Sequence, residues 1–254
     1  MKTKIEIFAL ENLPEFTEKT NLSQELYLSS VQSIDGFKNK DIVVVTQKIV
    51  SKVEGMLVDI REITPTKQAL DISNKTRKDP RLIQLILDQS KDIIRIEPVR
   101  GIIITESIHG FICANAGIDS SNIPGEYNVC LLPPNPNLSA MKISKELCAI
   151  TGITDMAVVI TDTFGRPWRE GQLSFAIGSF GIEPIKNYQG TADQHGNPLV
   201  VTAIATVDII ASAAELVSGK STGTPVSVIR GLDYTYSTLN AEEILRPIEK
   251  DLFR

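Results

Sequence analysis

Hydrophobic and polar positions follow two different periods along the chain, and these periods predict both strands and helices. Three continuous apolar runs, at residues 41–46, 156–161 and 225–230, have the pattern of strands buried on both faces. Residues 4–10 alternate between apolar and polar, which predicts a further strand. Apolar residues at helical spacing predict helices at 22–31, 64–77, 81–89, 138–150 and 206–217. This mixture predicts an α/β fold.

The middle of the chain is rich in β-forming residues. Runs at 92–97, 101–105 and 109–114 predict three strands, and a proline-rich connector without regular structure is expected at 133–137. Residues 92–135 are therefore predicted to form a smaller β-rich inserted subdomain. The main domain would consist of residues 1–91 together with 136–254. Later in the chain, further strands are expected at 174–178 and 199–206, and a short helix at 241–245.

The apolar run that ends at Ile160 is followed by an unusual group of polar residues. Residues 161–172, which we expect to form a loop, contain two carboxylates, two arginines, two glycines and the only tryptophan of the chain. Asp162 can hold a hard cation, and Arg166 and Arg169 can bind phosphate or carboxylate oxygens. The alternative is a solvated turn with a salt bridge, but the density of special residues favours a site that handles an anion.

Composition narrows the functional classes. The chain of 254 residues carries a formal net charge of −5, which argues against a general nucleic-acid-binding protein. Its three cysteines are widely spaced, and with only two histidines they argue against a structural zinc site. The N-terminus lacks the features of a signal peptide, and the longest apolar stretch, 199–217, contains Asp208 and Glu215. We therefore expect a cytoplasmic protein with reduced thiols that does not span a membrane.

A Gly-Lys-Ser sequence at residues 219–221 is similar to part of a P-loop, but two features argue against one. The first glycine of that motif is replaced by Ala214, and a helix precedes the loop where a P-loop would have a strand. The glycine-rich segment 219–223 can still present backbone N–H groups to phosphate. The alternative is a helix C-cap at Gly219 followed by a turn.

Carboxylates and lysines at other predicted strand ends suggest a metal and phosphate site. Asp119 and Asn122 lie in a turn-rich segment, and together with Asp162 they predict two carboxylates at one divalent ion. An Asx-turn and a helix cap are the alternative for the first pair. Lys48 and Lys52 would lie on one helix face and reach phosphates, although a solvated lysine pair is more common.

Taken together, residues 41–55, 115–122, 161–169 and 226–231 resemble the coenzyme F420-0:L-glutamate ligase family. The resemblance runs from Leu13 almost to the end of the chain. It implies a GTP-dependent ligase that joins L-glutamate to the carboxylate of the deazaflavin F420-0 and then adds a second, γ-linked glutamate to F420-1. It also implies Mg²⁺ or Mn²⁺, with two ions expected, K⁺ as a helper, and an intertwined homodimer. The implied α/β fold is specific to the family and is neither P-loop nor ATP-grasp.

The resemblance also assigns site residues. It implies metal ligation by Asp119, Asp162 and Thr163, and we expect Asp162, Arg166 and Arg169 to act in catalysis. The implied nucleotide site consists of Leu13, Pro14, Glu15, Phe16, Gln47, Lys48, Lys52, Asn122, Ser218, Gly219, Lys220, Ser221, Thr222 and Gly223. Where many archaeal members have a metal-binding glutamate, this chain has Lys220, which departs from the second-metal arrangement of the family. Lys220 could contact phosphate directly, and Asp208 or Glu215 could help hold the second ion.

Two other functions fit the same residues. The first is a nucleotide-dependent amide ligase that acts on a different carboxylate, because the motifs report nucleotide and metal more than acceptor. The second is a catalytically silent nucleotide-binding homologue, which only Lys220 favours. Metal-dependent GTP consumption that requires both deazaflavin and glutamate would exclude the second.

Overall fold

The computed structural model describes residues 4–219 and 223–253 of the chain. The strands are β1 (Glu6–Ala9), β2 (Ile42–Thr46), β3 (Leu57–Asp59), β4 (Ser90–Glu97), β5 (Ile102–Ser107), β6 (Ile112–Ala114), β7 (Asn128–Cys130), β8 (Ala157–Arg166), β9 (Arg169–Phe180), β10 (Ile185–Asn187), β11 (Ala203–Ala205) and β12 (Val226–Arg230). The α-helices are α1 (Leu22–Ile34), α2 (Gln47–Val53), α3 (Lys67–Thr76), α4 (Pro80–Asp88), α5 (Pro136–Thr151) and α6 (Thr206–Ser218). Short 3₁₀ helices occur at Ile60–Glu62, Asn115–Gly117, Ala241–Ile244 and Ile248–Lys250.

A mixed five-stranded sheet forms the centre of the molecule, with the strand order β1-β12-β2-β8-β9. Strands β2 and β8 are parallel, and the other neighbouring pairs are antiparallel. The three continuous apolar runs form the adjacent strands β12, β2 and β8, so the prediction that they are buried strands is confirmed. The predicted α/β class is confirmed as well.

Each face of the central sheet is covered, which explains why these strands are apolar on both sides. On one face, side chains such as Val43 and Val158 pack with Leu26 of α1 and Leu147 of α5. On the other face, the neighbouring strand residues pack against α6, including Ile210. The result is a layered arrangement with the sheet between helices.

A second structural unit lies beside the sheet. Strands β4, β5 and β6 form one small antiparallel sheet, and β3 pairs with β7 in another. Their core joins Ile72 and Ile83 of the helices α3 and α4 with Ile103 and Val129 of the strands. This core includes residues on both sides of the predicted boundary at residue 92, and the division into domains stays a prediction.

Three local predictions were wrong. Residues 161–172 do not form a loop, because β8 continues to Arg166 and pairs with β9 in a hairpin. The connector 133–137 is partly helical, since α5 begins at Pro136, where a missing N–H is tolerated and the Asn135 side chain accepts from the amide of Leu138 at 2.9 Å. Within 199–206, only Ala203–Ala205 forms a strand.

Candidate functional site

A cleft of about 980 Å³ opens where the central sheet meets the second unit. Because β2 and β8 are parallel, their carboxyl ends lie at the same edge of the sheet. Strand β12 is antiparallel to β2, so Pro225, immediately before β12, lies at that edge too. Ligands of α/β proteins commonly bind at the carboxyl ends of such strands. Most of the predicted site residues line this one cleft: Leu13, Pro14, Glu15, Phe16, Gln47, Lys48, Lys52, Asp119, Asn122, Asp162, Thr163, Ser218, Gly219 and Gly223.

The basic wall of the cleft is formed by helix α2, which starts directly after β2. Lys48 and Lys52 lie four residues apart on this helix, as predicted, and both line the cleft. The Lys52 side chain is almost fully buried and forms an ion pair with Glu15. Two cationic groups are therefore held at one end of the cleft by a short, packed helix.

Gln47 supplies an unused hydrogen-bond donor to the same wall. Its side chain is 1% exposed, and its Oε1 accepts from Ser51 Oγ at 2.9 Å. Among the residues that the structure describes, Gln47 Nε2 has no hydrogen-bond partner. A buried amide donor without a partner carries a cost in free energy, and a ligand oxygen in the cleft would remove that cost.

Asp119 lies opposite the basic wall and is already engaged by it. Its Oδ2 is 2.7 Å from Lys48 Nζ, and its Oδ1 accepts from the amide of Ser121 at 2.7 Å. Burial alone would raise the pKa of Asp119, but the hydrogen bonds from Lys48 and Ser121 outweigh it and lower that pKa. The carboxylate is therefore ionised at neutral pH and suited to a cation.

Asp162 and Thr163 lie on β8 and line the cleft. Thr163 Oγ1 lies 3.1 Å from Ser174 Oγ, and Ser174 in turn donates to Glu215 at 2.5 Å. Glu215 of α6 also lines the cleft, whereas Asp208 accepts from the amide of Ala176 at 3.0 Å. Of the two carboxylates considered for a second ion, the geometry favours Glu215.

The cleft also includes Cys113 and Asn115, for which the sequence predicted no role. Cys113 lines the cleft, but burial, reinforced by the Asp162 carboxylate, raises the pKa of its thiol to about 12. The thiol therefore stays protonated and is a poor nucleophile. Asn115 and Ala116 both adopt positive φ values, and Lys78 Nζ donates to the Asn115 side chain at 2.8 Å. Such strained turns commonly occur beside functional sites, but sequence patterns do not reveal them in advance.

The glycine-rich segment begins as the alternative interpretation expected. Helix α6 ends at Ser218, and the amide of Gly219 donates to the carbonyl of Glu215 at 3.4 Å. The order of helix α6 before strand β12 is confirmed, which is the reverse of the order in a P-loop. Gly219 and Gly223 line the cleft, while Lys220, Ser221 and Thr222 lie outside the described residues.

Arg166 and Arg169 are not part of the cleft wall. They occupy opposite backbone positions in the last strand pair of the β8–β9 hairpin, and Pro167 and Trp168 form the turn between them. Arg166 Nη1 donates to the carbonyl of Gly171 at 3.2 Å, and Arg169 is exposed. The structure therefore places the two arginines just beyond the cleft, at the tip of one of its walls.

The oxygen donors at the cleft match the chemistry of a hard cation. Within 4–219 and 223–253, the structure contains no group of three or more histidine, cysteine or acidic side chains that would form a complete metal cage. Asp119, Asp162 and Thr163 nevertheless supply carboxylate and hydroxyl oxygens to one cleft. Mg²⁺ typically binds through one or two carboxylates and completes its shell with water and phosphate. These residues therefore fit such an ion.

Over the same described ranges, no helix is both long and apolar enough to cross a membrane.

Comparison with known proteins identifies the family of the chain. The sequence model of the F420-0:Gamma-glutamyl ligase family matches residues 12–231. Coenzyme F420:L-glutamate ligase of Methanocaldococcus jannaschii is 40% identical over 256 residues, which cover 100% of this chain and 98% of the relative. The protein of the same name from Methanothermobacter thermautotrophicus is 38% identical, with 98% and 99% covered. That of Methanopyrus kandleri is 39% identical, with 91% and 90% covered. The chain therefore belongs to the F420-0:gamma-glutamyl ligase family.

Proposed function

We propose that the protein is a GTP-dependent ligase of coenzyme F420 biosynthesis. It would join the amino group of L-glutamate to the carboxylate of F420-0 and then add a second glutamate to F420-1 through a γ-linkage. Membership of the family supports the reaction. The single structural observation that carries the proposal is the cleft in which Lys48, Lys52, Asp119 and Asp162 meet. A triphosphate and a divalent ion need such a combination of charges.

The reaction begins with activation of the acceptor. An oxygen of the acceptor carboxylate attacks the γ-phosphorus of GTP, the bond to the bridging oxygen breaks, and GDP leaves. The product is an acyl phosphate, in which phosphate is a far better leaving group than oxide. Lys48 and Lys52 provide fixed positive charge beside the phosphates, and Gln47 Nε2 donates a hydrogen bond.

Amide formation follows. The amine nitrogen of glutamate attacks the acyl carbon, the bond from carbon to the phosphate oxygen breaks, and inorganic phosphate leaves with one oxygen of the original carboxylate. The nitrogen loses a proton to phosphate or to water, since the structure gives no reason to assign a general base to a side chain. Arg166 and Arg169 lie just beyond the cleft, at the tip of the β8–β9 hairpin, and their guanidinium groups can bind the phosphodiester of the acceptor or the carboxylates of glutamate.

Asp119, Asp162 and Thr163 would hold a Mg²⁺ or Mn²⁺ ion. When bound, such an ion neutralises the charge that develops on the transferred phosphoryl group. Lys48 forms an ion pair with Asp119, so this contact must be given up, at least on one carboxylate oxygen, when a metal ion binds Asp119. A second ion, with Glu215 as a ligand, and K⁺ as a helper belong to the same proposal, as do the homodimer and a cytoplasmic location.

Two alternatives remain distinct from this proposal. A ligase for another carboxylate would use the same cleft, and it would be identified by product formed with a different acceptor. A silent nucleotide-binding homologue would bind GTP without consuming it.

The test is direct product analysis. The protein is incubated with GTP, Mn²⁺, L-glutamate and F420-0, and the acceptor is examined by mass spectrometry. We expect one or two added glutamyl units, with GTP consumed only when both acceptor and glutamate are present. Failure to form product with either GTP or ATP would overturn the proposed function.

A further inference from the structure

The turn of the β8–β9 hairpin contains a residue that is unsuited to its backbone. Arg166 pairs with Arg169, so Pro167 and Trp168 are the two turn residues, and Trp168 has a φ of +65°. This left-handed conformation is normally taken by glycine or asparagine, and a bulky side chain there is strained. The sequence therefore places a large aromatic residue where the local backbone favours a small one.

Burial does not compensate for this strain. Trp168 is 86% exposed, and its closest aromatic neighbour, Phe253, lies 6.2 Å away between ring centroids in a tilted arrangement. Phe253 is itself 59% exposed. A strained and exposed tryptophan contributes little to the stability of the chain. Contact with a bound molecule would account for its presence at this position.

The hairpin connects Trp168 directly to the cleft. Phe164, Gly165 and Gln172 line the cleft, and the tip begins at the next residue of β8. From Asp162 to Arg166 the strand advances four residues, which is about 13 Å at the usual rise of a β-strand. The indole of Trp168 is thus carried outward from the carboxylate of Asp162 on the same hairpin.

We propose that Trp168 is a specificity-determining residue that stacks on the flat, conjugated ring of the deazaflavin acceptor. This inference rests on the proposed function, and it adds a subsite for the end of the acceptor remote from the reacting carboxylate. With that carboxylate near Asp162, the ring at the far end of the acceptor reaches the indole at the hairpin tip. Flat aromatic rings stack on indole through their large, polarisable faces.

Because Trp168 is the only tryptophan of the chain, the intrinsic tryptophan fluorescence of the protein reports on this side chain alone. Titration of the intact protein with F420-0 is expected to quench the emission, because the ring lies against the indole. GTP is expected to leave the emission unchanged. Phospholactate, a fragment of the acceptor without the ring, is expected to leave it unchanged as well. Equilibrium dialysis in parallel measures how much F420-0 is bound. Unchanged emission while F420-0 is bound would overturn the inference.

Variants test stacking as opposed to simple proximity. Trp168→Asn suits the turn and removes the aromatic ring, whereas Trp168→Phe keeps a ring. We expect Trp168→Asn to raise the KM and Kd for F420-0 on the order of tenfold, with Trp168→Phe between it and the wild type. The KM values for GTP and glutamate should not change. Equal KM and Kd values in Trp168→Asn and the wild type would overturn the inference.

The outcomes separate this inference from the proposed function. If the wild type forms no glutamyl product, the proposed function fails, and Kd values from dialysis still decide whether Trp168 binds the ring. If the wild type is active and Trp168→Asn is indistinguishable from it, only the inference fails. Emission that depends on protein concentration in the absence of F420-0, together with dissociation of a dimer in Trp168→Asn, would show that a second copy of the chain covers Trp168. That result would also overturn the proposal.

Discussion

Lys48 and Asp119 form an ion pair in the cleft. The substitution Lys48→Met tests how this pair affects the binding of metal and of nucleotide. The two side chains are 22% and 39% exposed, and their closest atoms are 2.7 Å apart. A partly solvated ion pair of this kind is worth about 1 kcal/mol. In the wild type a metal ion must displace that interaction. Without the ammonium group, Asp119 is free to bind the ion, so affinity for Mn²⁺ alone should rise about fivefold.

The same substitution should have the opposite effect on nucleotide. Lys48 is placed to bind phosphate, and a hydrogen bond to a charged group contributes about 1.5–3 kcal/mol. The affinity for a non-hydrolysable GTP analogue should therefore fall by at least about tenfold. Opposite changes in the two affinities distinguish this explanation from a general disturbance of the cleft, which would weaken both.

Both affinities can be measured on the intact protein. Paramagnetic resonance of free Mn²⁺ gives metal binding in the absence of nucleotide, and calorimetry gives binding of the GTP analogue. Lys91→Met is the matched control, because Lys91 carries the same charge and lies 4.0 Å from Glu106 in the second unit. If Lys48→Met leaves both affinities at the wild-type values, or lowers that for Mn²⁺, the reasoning is refuted.

Three further predictions concern the site and the fold. Asp162→Asn should lower turnover at least about a hundredfold, or about 3 kcal/mol, with an unchanged circular dichroism spectrum, and near-normal turnover would remove Asp162 from the metal site. Arg230→Met should lower the free energy of unfolding by about 3–5 kcal/mol in urea denaturation, because Asp41, 0% exposed, loses its ion pair at 2.7 Å; a loss below about 1 kcal/mol would contradict this. Gly178→Ala should cost about 1–3 kcal/mol in the same assay, since a Cβ there would lie 2.5 Å from the backbone at the start of α5. Gly165→Ala, which meets open space, is its control and should stay within about 0.5 kcal/mol; equal losses in the two would argue against this packing.

The helices and strands that the sequence predicted well are those that pack against apolar residues along their whole predicted length. Strand β2 and the first half of β8 are covered by helices on both sides, so residues 42–45 and 157–160 are all apolar and the runs are recognised directly. Helix α5 was also predicted correctly, because its apolar residues recur at helical spacing and pack against a single core. Its start was misplaced by two residues, because Pro136 suggests a connector until the Asn135 cap is seen.

Longer-range pairing explains what the sequence did not predict. The polar second half of β8 has no apolar pattern, and it is a strand only because β9 pairs with it as far as Arg166. Strand β3 was missed because it has three residues and depends on β7, which lies about seventy positions further along the chain.

In the candidate site, the residues could be predicted from the sequence, whereas their contacts could not. Asp119, Asp162 and the two lysines could be named from residue type and position at strand ends. Their meeting in one cleft depends on the strand order, and the ion pair between Lys48 and Asp119 depends on atomic distances. The position of Arg166 and Arg169 just beyond the cleft likewise depends on the hairpin.

The central claim is that the cleft activates the acceptor carboxylate with GTP before glutamate attacks. The most direct test uses F420-0 with oxygen-18 in that carboxylate and follows the label by mass spectrometry. The account predicts that the first amide bond, which forms at the labelled carboxylate, transfers one labelled oxygen to inorganic phosphate, whereas the second bond, which forms at the γ-carboxylate of the unlabelled first glutamate, releases unlabelled phosphate. Formation of the first glutamyl product with unlabelled phosphate only would contradict it.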